Sequence, residues 1–263
     1  MNNINKTLYI PLYGKNYVSK KGLFIKDTKA EEIWAKEGFL LKGKSKSKWL
    51  AYYMGIRSAV FDEWLKENIS TYPNSTIIHL GCGLDSRVLR VDYKNCTWFD
   101  IDFPTVIEER KKYYTETDTY KMISTDIRDK NYLSNICNSN SKFAIVVMEG
   151  VSMYLTTDEM KNLIDNLCAN FENVVLLVDC YSTFASKISK YKNPINDVGV
   201  SKVYGIDNPK EYERDNFTFV KEHTITPKKL INELKGFEKF IFSKLYAGKF
   251  AKKLYRLFEY KKI

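Results

Sequence analysis

The clearest pattern in the chain begins at Thr76, where short apolar runs alternate with helical ones. The runs "TIIHL", "CTWFDID", "YKMISTDI", "FAIVVME" and "VVLLVDC" are each of strand length, rich in β-formers and apolar on both faces. That is the signature of parallel strands covered by helices on either side. Crossover helices are predicted between them over Ser86–Asp92, Pro104–Tyr114, Asn131–Cys137 and Thr157–Phe171, the last opened by the capping sequence "TTDEM". Five β-α steps make an α/β, doubly wound sheet. Residues 1–70 read instead as a helical cap. Asp27 or Thr28 can cap "KAEEIWAKEGF", and Trp49, Tyr53, Ile56, Val60 and Trp64 recur at spacings of three and four, as on the core-facing side of a long helix. Residues 71–263 then form the sheet domain, with a polar, turn-rich insertion over about 181–215. Two alternating stretches, "FTFVKEHTI" and "FEKFIFSKLY", are expected to close the sheet as an antiparallel pair.

Composition narrows the possibilities. At 263 residues the chain suits one large domain. It has no run of eighteen apolar residues and its N-terminus has no apolar signal region, so a cytoplasmic protein is expected. The five cysteines (Cys82, Cys96, Cys137, Cys168, Cys180) form no C-x-x-C, and His79 and His223 lie far apart, so neither a disulfide framework nor a metal site is expected. Cys96, Cys168 and Cys180 read as small core residues, and His79 as a satisfied core group within the first strand. The net charge of +10 comes from Lys spread over the whole chain. The densest basic run, "KLYAGKFAKKLYRLFEYKKI", is read as a terminal element with one solvated face in preference to a contact with phosphates or anionic lipid. Neither a nucleic-acid nor a membrane partner is expected.

In an open parallel sheet, ligands bind beyond the carboxyl ends of the strands. After the first run stand Gly81 and Gly83; after the second stand Asp100 and Asp102, about twenty residues on. Such a turn either serves only the chain reversal or lets a nucleoside lie against bare backbone while a carboxylate takes its ribose hydroxyls. A dinucleotide site wants a third glycine where this chain has Ser86. The turn therefore suits S-adenosylmethionine, which carries no pyrophosphate. After the third run, Asp126 and Ile127 offer a carboxylate to an adenine amino group and an apolar side chain beside the ring, or Asp126 caps the next element. After the fourth, Glu149 either faces the cofactor's cationic end or is satisfied by nearby backbone donors.

Six ordered segments, "TLYIPLYGK", "DTKAEEI", "LGCGLDSR", "FDIDFP", "EGVSMYL" and "VYGI", resemble the motifs of the leucine carboxyl methyltransferase family, and more specifically its bacterial, polyketide-modifying branch. The resemblance implies a class I methyltransferase (Rossmann-like) fold with a seven-stranded sheet, mostly parallel with a reversed last strand, an N-terminal helical cap contributing to the site and a lid insertion. The implied cofactor is S-adenosyl-L-methionine, leaving as S-adenosyl-L-homocysteine. Arg57, with Lys15 where the family has Arg, would hold the cofactor's carboxylate. Gly81 and Gly83 would lie beneath its methionine part, Asp102 with Asp100 nearby would take the ribose, Asp126 and Ile127 the adenine, and Glu149 would help form the floor. Lys15 is a point charge and lacks the two-pronged contact of Arg; Ser86 for Thr and Tyr204 for Trp are the other departures.

A sulfonium methyl is already activated, so catalysis reduces to placing an oxygen in line with it and excluding water. A carboxylate acceptor is ionised at neutral pH and needs no base. Tyr154, Tyr181 and Tyr204 are placed to border the acceptor pocket and position the substrate, and Lys187, Lys190 and Lys192 stand in the insertion. The function expected is an S-adenosylmethionine-dependent O-methyltransferase acting on a carboxylate or acidic hydroxyl of a polyketide-type small molecule. The alternatives are a protein C-terminal carboxyl methyltransferase and a cofactor-binding module without turnover. Modification of nucleic-acid bases is disfavoured, because "MEGVSM" stands where an Asp/Asn-Pro-Pro-aromatic motif would be needed.

Overall fold

The computed structural model describes residues 3–37, 46–133, 136, 142–192 and 202–263. The N-terminal part folds as three helices, α1 (Asn3–Lys20), α2 (Thr28–Glu37) and α3 (Lys48–Thr71). Asp27 caps α2 by accepting the Ala30 N–H at 2.8 Å, and Ser47 caps α3 by accepting from Trp49. The apolar stripe of α3 is wider than its spacing suggests, since Tyr52, Ile56, Phe61, Trp64 and Leu65 are all buried and even Arg57 and Asp62 face inward.

The rest is a seven-stranded sheet of β1 (Thr76–Leu80), β2 (Thr97–Asp102), β3 (Tyr120–Ser124), β4 (Phe143–Met148), β5 (Asn173–Tyr181), β6 (Thr218–His223) and β7 (Tyr255–Lys262), in the order β3-β2-β1-β4-β5-β7-β6. Helices α4 (Arg87–Arg90), α5 (Pro104–Arg110), α6 (Thr157–Asn170), α7 (Thr183–Lys192), α8 (Lys228–Ile231), α9 (Gly236–Leu245) and α10 (Lys249–Leu254) complete it. The first five strands pair in parallel, while β7 runs antiparallel to both β5 and β6. Successive residues face opposite layers: Ile77 packs with α1 and α3, and Ile78 and Leu80 pack with α6. Because the chain leaves β1 outward through β2 and β3 and returns to β4 on its other side, the ends of β1 and β4 diverge around a crevice. Thr156 and Glu159 form the expected capping box of α6. Part of the expected Asn131–Cys137 helix, Cys137 included, lies outside the described residues, and 131–133 form a turn. Cys82, Cys96 and Cys180 are buried and Cys168 half-buried, all free.

The closing pair differs from expectation. "FTFVKEHTI" supplies β6, but "FEKFIFSKLY" is helix α9. Its Phe242 is fully buried against Tyr52, and Tyr246 just beyond stacks on Trp49 at 5.9 Å, contacts made one and two turns along a helix. The partner strand comes from the basic run instead. Leu257 packs into one layer of the core and Phe258 and Tyr260 into the other, so this segment has two buried faces where one solvated face was expected. Lys262 reaches past the sheet end to the carbonyls of Cys168 and Phe171 at 2.6 and 2.9 Å, keeping its charge out of the core.

Candidate functional site

A cavity of about 600 Å³ opens at the carboxyl ends of β1, β2 and β4, roofed by α1 and α3. It lies within the usual range for small-molecule sites. Of the residues predicted to act there, Lys15, Arg57, Gly81, Gly83, Asp102, Asp126, Ile127, Glu149, Tyr154 and Tyr181 line it, and Asp100 and Tyr204 do not.

The turn after β1 is left-handed at both glycines, with φ of 67° at Gly81 and 52° at Gly83. A Cβ at Gly81 would lie 2.2 Å from Val151 Cγ2, so the turn's own packing, as well as any ligand, requires this glycine. Gly83 donates its N–H to Asp102 Oδ2 at 2.8 Å, and Phe103 donates to Oδ1 at 2.8 Å. These contacts fix the Asp102 carboxylate at the cavity wall, where it makes no ion pair among the described residues, and burial pushes its pKa above the ordinary range against the pull of the more distant Arg110.

Asp100, two residues earlier on the same strand, is a different case. Its Oδ1 meets His79 Nδ1 at 3.0 Å and accepts from Trp98 Nε1 at 2.9 Å; its Oδ2 accepts from Arg110 Nη2 and, at 2.7 Å, from Tyr120 Oη. With every lone pair engaged and no surface exposed, Asp100 is a structural anchor and not a ribose ligand. Tyr204 is corrected too. Its N–H donates to Met153 O at 2.8 Å and its ring lies under Lys202, so it backs the wall without reaching the cavity. Asp126 caps the turn by accepting the Arg128 N–H at 2.9 Å, and its carboxylate lines the cavity while gripped by the Arg128 guanidinium. Residues 193–201 of the insertion, and the side chains of Lys190 and Lys192, lie outside the described residues; Lys187 is exposed.

Behind the cavity lies an ionic network whose members sequence reasoning largely missed. Arg87 donates to Asp62 Oδ1 at 2.6 Å, to Ser58 Oγ at 3.2 Å and to Glu149 Oε2. Arg90 reaches Asp27 at 2.7 Å and Asp62 at 2.9 Å, while Lys15 pairs with Asp85 at 2.5 Å. Arg57 joins Glu149 at 3.0 Å and Asp179 at 3.2 Å. The four cations Lys15, Arg57, Arg87 and Arg90 thus face the five carboxylates of Asp27, Asp62, Asp85, Glu149 and Asp179, and Asp102 adds a further negative charge. Asp85 and Arg87 stand inside the quoted "LGCGLDSR", and Asp179 obeys the same strand-end rule as Glu149. Those signals were available; the contacts of Asp62 from α3 were not.

The cations hold Asp85 and Glu149 in the ionised form. Against burial, which favours the neutral acid, the charges of Arg87 and Arg57 bring Glu149 down to about 2, and Arg110 with His79 brings Asp100 to about 2. A carboxyl depressed on folding adds stability that is complete above its unfolded pKa near 4 and disappears as pH falls through the folded value. Stability from urea titrations is therefore expected to be flat from neutrality to about pH 5 and to fall continuously towards pH 2. A midpoint unchanged between pH 5 and pH 3 would contradict this arrangement.

The remaining wall is aromatic. Tyr53, Tyr154, Tyr181 and Tyr255 border it, with Tyr255 lying 5.0 Å from Tyr181 and 6.1 Å from Tyr53 between ring centroids. Burial raises the hydroxyl pKa of Tyr53, Tyr154 and Tyr255, which keeps these groups protonated at neutral pH. Both histidines are engaged, His79 with Asp100 and His223 with Glu259 at 2.5 Å. Among the described residues no cluster of metal-binding side chains occurs, and no helix is long and apolar enough to cross a membrane.

Comparison with known proteins agrees with this architecture. The chain is 29% identical to the tetracenomycin polyketide synthesis O-methyltransferase of Streptomyces glaucescens over 159 residues, covering 60% of this chain and 58% of that protein. It is 27% identical to an S-adenosyl-L-methionine-dependent methyltransferase of Gibberella zeae over 183 residues, 65% of this chain and 61% of that protein. The matches thus span about three fifths of these relatives' length. In three dimensions the fold matches that of a Thermobifida fusca crystal structure assigned as a methyltransferase, with a TM-score of 0.55 at 13% identity, covering 81% of this chain and 82% of the other. The sequence profile of leucine carboxyl methyltransferase matches residues 9–168, more than half of the chain, and the protein belongs to that family.

Proposed function

We propose that the protein binds S-adenosyl-L-methionine and is an O-methyltransferase acting on a carboxylate or acidic hydroxyl of a polyketide-type small molecule. The observation that carries this reading is the Asp102 carboxylate, held by two backbone N–H groups and in no ion pair among the described residues, beside the left-handed Gly81–Gly83 turn in a cavity where carboxylates outnumber cations. The residues fit the cofactor, whose sulfonium, ammonium and carboxylate sum to one positive charge. When bound, it would supply an electrophilic methyl group.

The chain's own contribution is binding and alignment. Asp102 accepts from the ribose hydroxyls, its orientation set by the Gly83 and Phe103 N–H groups. Ile127 and Asp126 flank the base. Arg57 and Lys15 face the amino-acid end, and Glu149 contributes negative potential to the floor. Tyr154 and Tyr181, with Tyr53 and Tyr255, exclude water and hold an apolar or planar acceptor. A carboxylate acceptor arrives ionised, so the site functions without a general base. The names of the relatives support a small molecule over a protein terminus or a nucleic acid.

Calorimetry with S-adenosyl-L-homocysteine is expected to show uptake, and a nicotinamide dinucleotide none. Methyl transfer to small aromatic acids and phenols should exceed transfer to peptides ending in Leu. Binding of the dinucleotide with none of S-adenosyl-L-homocysteine would remove the proposal.

A further inference from the structure

Arg57 enters the cavity wall with most of its donors committed. Nε donates to Glu149 Oε1 at 3.0 Å, and Nη1 donates to Tyr255 Oη at 2.7 Å while lying 3.2 Å from Asp179 Oδ2. Among the described residues Nη2 has no hydrogen-bond acceptor. The approach to it passes Gly150, whose missing Cβ would stand 3.3 Å away.

Tyr255 determines which edge of the guanidinium remains open. Its hydroxyl has one proton, and that proton is donated to Asp179 Oδ2 at 2.5 Å. The oxygen is therefore left to accept from Arg57. Asp179 is itself fixed, since its Oδ1 accepts the Gly150 N–H at 2.7 Å. The ring has little freedom: it is the direct cross-strand partner of Tyr181, touches Tyr53 and is buried.

We propose that Tyr255, on the reversed strand and outside the family-matched residues 9–168, is a positioning residue for the cofactor's carboxylate. Held by Asp179, its hydroxyl holds Nη1 so that Nη2 alone is presented to the cavity. This rests on the methyltransferase reading and adds to it: β7 completes the cofactor site as well as the sheet. Without the hydroxyl, Nη1 retains only Asp179, and the guanidinium turns from the cavity towards that buried carboxylate.

Two ligands separate this role from a general loss of structure. S-adenosyl-L-homocysteine carries the carboxylate, whereas methylthioadenosine has the same nucleoside and thioether without the amino-acid end. In Tyr255→Phe, calorimetry should show the first binding about tenfold more weakly, as for loss of one charge-assisted hydrogen bond, and the second unchanged. Asp179→Asn, which frees the hydroxyl proton to turn towards Arg57, should give the same selective loss and serves as the second variant. Equal weakening of both ligands, or of neither, in a folded variant overturns the assignment. Failure of the wild-type protein to bind either ligand would instead defeat the methyltransferase reading on which it rests.

Discussion

Replacing Arg87 by Met lowers the stability of the fold by about 3–5 kcal/mol, the range for removing one partner from a buried ion network. The side chain is fully buried, and its donors reach Asp62, Ser58, Glu149 and Asp85. Without it, Asp62 keeps Arg90 and Glu149 keeps Arg57, but each loses its most enclosed counter-charge. For a chain of this size the loss corresponds to a melting temperature lower by roughly ten degrees. Arg87→Lys restores little, since a single ammonium cannot reach the partners arrayed around the edges of a guanidinium. Adding Glu149→Gln to Arg87→Met should cost less than the two single changes combined, because the second removes the charge that the first strands. Urea denaturation of the four proteins decides this; a loss under about 1 kcal/mol for Arg87→Met would mean that the network is not closed as the distances indicate.

The same network joins the helical cap to the sheet. Lys15 from α1, Asp27 before α2, and Arg57 and Asp62 from α3 all meet residues at the ends of β1 and β4. The cap and the sheet also share one apolar cluster, in which Tyr52, Ile56 and Trp64 pack with Ile77, Trp98 and Ile145. An isolated 71–263 segment would expose that surface, and Asp85 would lose Lys15 and Glu149 would lose Arg57 while both keep Arg87. The roof of the cavity is thereby tied to its floor.

Much of this was legible because it depends on local periodicity. Apolar runs of strand length fix five strands, and a glycine pair after the first fixes where the cavity opens. What escaped depends on contacts between distant residues. "FEKFIFSKLY" satisfies both strand alternation and helical spacing, and only Tyr52 and Trp49 against its inner face decide for the helix. "YRLFEYKKI" looks solvated because of its charges, yet β5 and β6 pair along its two edges and its faces enter both core layers, Leu257 on one side and Phe258 and Tyr260 on the other. Tyr255 could not be found at the cavity until the strand containing it was known. Asp100 and Asp102 are indistinguishable by pattern, since they share a strand face two residues apart. Depth separates them: Asp100 meets Arg110 from α5, whereas Asp102 lies one pleat farther towards the open end.

That distinction carries the largest effect on binding. Asp102→Asn is expected to weaken S-adenosyl-L-homocysteine about a hundredfold, because a ribose diol donates to two oxygens of a carboxylate and an amide offers only one. The amide must also set its NH₂ against either the Gly83 or the Phe103 N–H, which shifts the side chain from the wall. Stability should respond far less. Burial raises the Asp102 pKa, so in the folded state its charged form is disfavoured, and this cost is present at neutral pH and relieved as pH falls. A neutral amide removes it while leaving one of the two N–H groups without an acceptor, so the two effects oppose and the melting temperature of Asp102→Asn should stay close to that of the wild type. Asp100→Asn makes the complementary case: its carboxyl is depressed to about 2 by Arg110 and His79, so neutralising it forfeits stabilisation and strands the buried Arg110. Thermal melts and calorimetry on the two variants should therefore separate, with binding lost and stability kept for Asp102→Asn, and stability lost for Asp100→Asn. Strong cofactor binding by Asp102→Asn would show that the carboxylate facing the cavity does not hold the sugar. A group retained at a cost to the fold, beside one that secures it, is the physical mark of a binding residue on this strand.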